Sequence, residues 1–277
     1  MSPDILICPL DGLPLKQQDG QWCCPDGHSF DIARQGYVNL LPVQFKKSRQ
    51  PGDSKEMVAA RSAFLNSGVY QPIAEALLKT VQPLLADQKN SHILDAGCGE
   101  GYYLTHLLEH WPSTAQWLGL DISKWAIQAA TKRSKTPSWI VGSNRSLPVK
   151  AHSLDMIICA FGFADYAAFK KALKPGGWIV LVDSDTEHLI ELRRIIYPEV
   201  RHSPPPSISA AEALGFEQCA QDSVRYQTPV LNRQQLQQLL QMTPHLYRAS
   251  QEGKQAAQAL DQLQLSIDVA LRVLKAP

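Results

Sequence analysis

Between residues 56 and 200 the apolar positions change period again and again. Stretches in which they recur every three or four residues alternate with short, nearly continuous apolar runs. The first kind predicts helices at 56–65, 71–85, 101–110, 123–133, 166–173 and 187–196. The second predicts strands at 92–95, 116–121, 138–142, 154–160 and 178–182. A Lys-Pro-Gly-Gly turn at 174–177 separates the fifth of these helices from the fifth strand. The Ser-Pro-Pro-Pro run at 203–206 predicts a loop. Beyond it, 216–228 reads as two strands, and two helices are expected to finish the chain. The second-last contains Leu236, Leu239 and Leu240 at helical spacing within a glutamine-rich stretch. Strands alternating with helices imply an α/β fold with a parallel sheet covered on both faces.

Residues 1–40 follow another pattern. Short apolar runs are separated by turn residues and cysteines: Cys8-Pro-Leu-Asp-Gly12, Asp19-Gly20 and Cys23-Cys24-Pro-Asp-Gly-His28. This predicts a hairpin module too small to hold together without a staple. Residues 43–55 read as a polar linker, so the expected organisation is a module at 1–42, a linker at 43–55 and an α/β domain at 56–277. Lys46, Lys47, Arg49 and Lys55 make the linker basic, which suits either RNA phosphates or plain solvation.

Composition narrows the possibilities. In 277 residues, 27 Lys+Arg face 26 Asp+Glu, and the net charge of +1 excludes a globally basic nucleic-acid coat. No apolar run is long enough to span a bilayer, and no basic segment precedes an apolar one at the start. The expected setting is therefore a reducing cytoplasm. There the six cysteines are thiols or metal ligands rather than disulfides.

The sharpest chemical signal is Asp95-Ala-Gly97-Cys-Gly99-Glu100-Gly101, where a strand runs directly into a glycine loop and then a helix. Glycines at these positions let backbone approach a nucleotide closely. The third glycine comes one residue earlier than in the dinucleotide fingerprint, and Glu100 disfavours a pyrophosphate at the helix start. Asp121 closes the second strand, where a carboxylate can accept both ribose hydroxyls. A nucleoside that carries an amino acid and no phosphate is S-adenosylmethionine. The expected fold is therefore a class I, Rossmann-like methyltransferase. Asn144, after the third strand, can reach an adenine edge or simply belong to a turn.

Cys8, Cys24 and His28 form a second constellation, with ligand types and spacing suited to zinc. Asp11 sits where a Cys-x-x-Cys knuckle would place its second thiol, and Cys23 or water are alternatives for the fourth place. Cys23 and Cys24 point oppositely along a strand and should not both ligate. Cys98, Cys159 and Cys219 are expected in core packing.

Several blocks resemble the RrmA/RlmA-type 23S ribosomal RNA guanine-N1 methyltransferases. They are His28-Ser-Phe-Asp31 with Gly36-Tyr-Val-Asn-Leu-Leu-Pro-Val43, Ser48-Arg-Gln-Pro-Gly-Asp-Ser54, Arg61-Ser-Ala-Phe-Leu65 and Gly68-Val-Tyr-Gln-Pro72. Gly97-Cys-Gly-Glu-Gly-Tyr-Tyr103, His188-Leu-Ile-Glu-Leu192 with Tyr197, and Leu240-Gln-Met-Thr-Pro244 continue the likeness, which runs nearly end to end. The resemblance implies an N-terminal zinc module, a class I domain, a homodimer and a 23S rRNA hairpin substrate. It also implies cofactor contacts from Tyr70, the Gly99–Glu100 loop and His188. Three positions depart from the family pattern. Asp11 replaces a cysteine, which is expected to weaken or abolish zinc binding. Residues 159–165 read Cys-Ala-Phe-Gly-Phe-Ala-Asp at the strand end that faces the methyl acceptor, and Tyr247 replaces a tryptophan. Asp165 is a candidate base or a helix cap, and no catalytic residue is assigned. The alternatives are a methyltransferase of the same fold acting on another RNA base or a small molecule, and a non-catalytic RNA-binding protein that retains the cofactor.

Overall fold

The computed structural model describes residues 4–45, 48, 51–86, 88–111, 114–200, 202, 204–243 and 249–277. The chain begins with a small three-stranded antiparallel sheet, β1 (Lys16–Gln18), β2 (Gln21–Cys23) and β3 (Ser29–Asp31). β4 (Tyr37–Asn39) follows, then α1 (Lys55–Asn66) and α2 (Gln71–Val81). Ser54 caps α1 by accepting the Met57 N–H, and Pro83 lies in the 3-10 turn, Gln82–Leu85, that follows α2.

The alternating region forms β5 (Ser91–Ala96), α3 (Tyr102–His110), β6 (Ala115–Asp121), α4 (Lys124–Arg133), β7 (Ser138–Val141) and β8 (Leu154–Ala160). α5 (Tyr166–Ala172), β9 (Leu173–Ser184) and α6 (Ile190–Ile196) come next. The remaining described elements are α7 (Ser209–Glu212), β10 (Glu217–Gln227), β11 (Leu231–Asn232), α8 (Arg233–Met242), α9 (Gln251–Gln258), β12 (Gln262–Leu263) and β13 (Ser266–Lys275).

Eight strands form one sheet in the order β10-β13-β9-β8-β5-β6-β7-β4. The strands from β4 to β9 run parallel. β13 is antiparallel to both its neighbours, β9 and β10. Successive residues serve opposite layers. Met156 and Ile158 of β8 enter one core and Ile157 and Cys159 the other, as do Val180 and Val182 of β9 against Ile179 and Leu181. The first core lies under α1–α4, α6, α8 and α9. In the second, the N-terminal module covers the sheet beside α5 and α7: Ile5, Leu6, Cys8, Leu15, Trp22 and Cys24 pack with Leu118, Ile140 and Phe169. Backbone bonds stitch this docking, with Ile7 N–H to Pro148 C=O at 3.0 Å and Lys150 N–H to Ile5 C=O at 2.8 Å.

Several elements differ from the sequence expectations. The chain ends in a strand, not a helix: β13 is inserted between β9 and β10, and every residue from Ile267 to Leu274 is buried. The segment 216–228 is one strand, not two. Residues 174–177 lie inside β9, where a register shift against β8 between Leu154 and Met156 absorbs them. The sixth helix is shorter than expected because Leu189 takes a left-handed conformation (φ 55°) just before it. β4, from the segment assigned to the N-terminal module, pairs with β7 and extends the large sheet. Cys98 and Cys159 are buried, but Cys219 is exposed on the edge strand β10. Lys46, Lys47, Arg49, Pro244 and Tyr247 lie outside the described residues.

Candidate active site and metal centre

Three loops converge at the carboxyl ends of β5, β7 and β8. The glycine loop is stitched to β6: Gly97 N–H and Cys98 N–H both donate to Leu120 C=O, at 2.7 and 3.0 Å. Gly99 N–H donates to Asp121 Oδ2 at 3.0 Å, while Asp121 Oδ1 accepts the Ser123 N–H at 2.7 Å. Burial raises the Asp121 carboxyl above its ordinary range, and these two N–H groups oppose that shift. A Cβ on Gly97 would lie 3.7 Å from Asn144 Nδ2 and 3.9 Å from Gly162 Cα, so Gly97 sits between the loops that follow β7 and β8. Asn144 Nδ2 donates to Phe163 C=O at 2.8 Å, which orients the amide. Its buried Oδ1 has no donor among the described residues.

Tyr70 and His188 meet on the other side. The Tyr70 hydroxyl lies 3.3 Å from His188 Nε2, and Asp268 N–H reaches His188 Nδ1 at 3.4 Å. An accepting Nδ1 leaves the proton on Nε2, pointing at Tyr70. Both residues are buried, and burial pushes the Tyr70 phenol up, so it stays neutral. The structure thus brings together Gly97, Gly99, Asp121 and Asn144, and separately Tyr70 with His188. Phe161, whose ring centroid is 6.3 Å from Tyr70 and 6.1 Å from His188, continues the second group.

Two glycine-loop residues are also held by contacts within the protein. Glu100 is buried, and its Oε2 is held by Arg133 Nε and Nη2, both at 2.7 Å. Its Oε1 is buried and has no partner among the described residues. A Cβ on Gly101 (φ 82°) would meet the Trp139 ring at 2.7 Å and Ala130 Cβ at 3.2 Å, so packing demands this glycine. Asp165 caps α5, accepting the Ala168 N–H at 3.0 Å. The sequence reading missed Arg61. Its guanidinium would lie 3.7 Å from a Cβ on Gly99, and it pairs with Asp53 and donates to Met242 C=O at 3.2 Å. These partners are far apart in sequence, so no local pattern announces them. Asp95 is buried, and its Oδ1 has no partner among the described residues. Burial, aided by Asp121, pushes its carboxyl up to about 8.

In the N-terminal module, Cys8, Asp11, Cys24 and His28 place one ligand atom each within 4.8 Å of the others. Cys24 Sγ is 3.4 Å from His28 Nδ1 and 3.1 Å from Asp11 Oδ2, and Cys8 Sγ is 3.6 Å from His28 Nδ1. With metal–ligand bonds of roughly 2.0–2.3 Å, the edges of a tetrahedral zinc site measure about 3.3–3.8 Å. Cys8, Cys24 and His28 stand at edges of this size, while Asp11 Oδ2, 2.7 Å from His28 Nδ1 and 3.1 Å from Cys24 Sγ, would draw back by about half an ångström to complete a zinc site. The Leu13 N–H, which donates to Asp11 Oδ1 at 2.8 Å, is the main cause that holds the Asp11 carboxyl below its usual range. Cys23 is not part of the cluster.

Comparison with known proteins places these features together. The sequence pattern of the family described as "RlmA, N-terminal" matches residues 6–49, and that described as "Methyltransferase domain" matches residues 93–177. A "Putative 23S rRNA (guanine-N(1)-)-methyltransferase" of Micromonospora griseorubida is 30% identical over 99% of this chain and 99% of its own length. The chain belongs to the RlmA-type 23S rRNA guanine-N1-methyltransferase family. A second relative, the 23S rRNA (guanine(748)-N(1))-methyltransferase of Streptomyces fradiae, is 35% identical over 68% of this chain and 66% of that protein. A protein of Bacillus subtilis with the same "Putative" description, YxjB, is 28% identical over 96% and 95% of the two chains. As an RlmA-type chain the protein has an S-adenosylmethionine-dependent methyltransferase domain and a zinc-ribbon domain. No helix among the described residues is long and apolar enough to cross a membrane.

Proposed function

We propose that the protein methylates N1 of a guanine in a hairpin loop of 23S rRNA, acting as a cytoplasmic homodimer. The observation that carries this reading is the glycine loop clamped to Asp121 in a chain whose end-to-end relative bears that activity in its name. S-adenosylmethionine, when bound, supplies a methyl group on an already activated sulfonium. The protein's task is then mainly alignment in a water-poor site. Asp121 receives the ribose hydroxyls, the Gly97, Gly99 and Gly101 backbone gives the close approach, and Asn144 Oδ1 accepts from the adenine amine. Glu100 contributes its peptide, and Arg133 holds its Oε2. Tyr70 and His188 hold the methionine end. Cys8, Asp11, Cys24 and His28 hold zinc, and the module they staple grips the RNA.

Guanine N1 carries a proton at neutral pH and forms part of the Watson–Crick edge. The base must therefore leave any pairing before it can enter the site. Asp165 caps α5 through Oδ1, and no residue is assigned as the base that removes this proton. The dimer is tested by light scattering, where a monomer mass would remove it. The function is tested by incubating purified protein, S-adenosylmethionine and unmodified 23S rRNA, then mapping the product by mass spectrometry. One methyl on one loop guanine supports the reading. Methylation of another base, or of small molecules only, replaces it.

A further inference from the structure

The loop after β8 presents two phenylalanines to solvent. Phe161 and Phe163 are 40% and 59% exposed, two of the five large exposed hydrophobic side chains among the described residues. The loop also holds Phe161 at φ 53°, a left-handed conformation that an aromatic L-residue avoids unless its surroundings impose it. Here the surroundings do so. Phe161 N–H donates to Val182 C=O at 2.7 Å. Gly162 lies against Gly97, and Phe163 C=O is tied to Asn144. The backbone of this loop consequently sits against the glycine loop. Phe161 joins Tyr70, Tyr103 and His188 at centroid distances of 6.1–6.3 Å. Phe163 lies further out, with the Arg145 guanidinium 5.2 Å above its ring.

An exposed aromatic face beside a methyl-donor site, with a cation at its edge, matches the chemistry of an unstacked nucleotide. A base has a π-face to stack and a phosphate to neutralise. We propose that Phe163 is the platform on which the target guanine stacks, with Arg145 meeting the adjoining phosphate and Phe161 walling the path to the methyl group. This deepens the proposed function and rests on its RNA substrate. It also gives a role to the segment in which this chain departs from the family pattern.

The test uses the full-length protein with a 23S rRNA hairpin, and with the same hairpin carrying 2-aminopurine in place of the target guanine. Phe163→Leu keeps an apolar side chain but removes the π-face. One lost base stack corresponds to roughly 5- to 150-fold in affinity. The KM for the hairpin should therefore rise about ten-fold or more in Phe163→Leu and return to within about two-fold of the parent in Phe163→Trp. The calorimetric affinity for S-adenosylmethionine should stay within about two-fold in both variants. The parent should quench 2-aminopurine fluorescence and the Leu variant should not. Arg145→Gln should lower the salt slope of hairpin binding by about one. An unchanged KM in Phe163→Leu, failure of Trp to restore it, or a parallel loss of cofactor affinity overturns the platform. If the parent methylates the hairpin normally in that case, the proposed function still stands. If the parent leaves the hairpin unmethylated, both fall.

Discussion

A methyl group placed on Gly101 should unfold the protein more readily, whereas the same change two residues earlier should act on cofactor binding. At Gly101 the new Cβ would sit 2.7 Å from Trp139 Cη2 and 3.2 Å from Ala130 Cβ, at φ 82°. Trp139 is among the largest fully buried side chains and also packs against Gly119, so its ring has no free direction of retreat. Overpacking costs about 1–3 kcal/mol, and a left-handed backbone with a Cβ adds about 1–2 kcal/mol. Gly101→Ala is therefore expected to lose about 2–5 kcal/mol in urea unfolding. At Gly99 (φ 57°) the nearest heavy atom to a new Cβ is Arg61 Nη1 at 3.7 Å, an ordinary contact. Gly99→Ala should cost only the backbone part, about 1–2 kcal/mol, yet weaken calorimetric S-adenosylmethionine binding at least ten-fold. Trp139→Phe should recover part of the loss in Gly101→Ala. Parent-like stability in Gly101→Ala, or parent-like cofactor affinity in Gly99→Ala, would refute this division of labour within the glycine loop.

Asp121→Ala should weaken S-adenosylmethionine binding by about 2 kcal/mol, the scale of hydrogen bonds to a charged group; unchanged calorimetric affinity removes Asp121 from the site. Purified untagged protein should carry up to one zinc per chain. Occupancy should fall with chelator and with falling pH as the ligands protonate, and Asp11→Cys should make it more resistant to both. Elemental analysis without metal, together with an unchanged melting temperature in Cys24→Ser, makes the module a metal-free hairpin. Asp95 gives a pH signature. Its folded carboxyl keeps its proton to about pH 8, against 3.8 ordinarily. Between those values the unfolded state binds fewer protons, so stability falls as pH rises through the window. Asp95→Asn should gain on the parent between pH 5 and pH 8 by a few kcal/mol. A pH-independent difference between the two would mean that Asp95 is ionised throughout.

What the sequence made legible was local. The glycine loop, Asp121 and the alternating strands announce themselves because neighbouring residues set them. β13 did not, because Asp268 and Arg272 punctuate its apolar run at a four-residue interval, which imitates a helix. The residues that settle it as a strand are distant: Asp183 pairs with Arg272 and Arg225 with Asp268. The same reason hid the docking of the N-terminal module on the sheet, and the placing of Arg61 beside Gly99. Gly99 and Gly101 look alike in sequence, and only the position of Trp139 separates a glycine needed for packing from one free to face a ligand. The Cys8, Asp11, Cys24 and His28 cluster was readable as a set of candidates. The choice of Asp11 over Cys23 came from the folded hairpins.

The central claim is met most directly by primer extension on 23S rRNA from cells with the intact gene, with the gene deleted, and with the deletion complemented by Gly99→Asp. A methyl on N1 removes the guanine's pairing donor, so reverse transcriptase should stop one nucleotide before one loop guanine. That stop should appear only in the first strain, with a matching single-methyl mass difference in the RNA fragment. Identical stop patterns and identical fragment masses in all three strains would contradict the assignment.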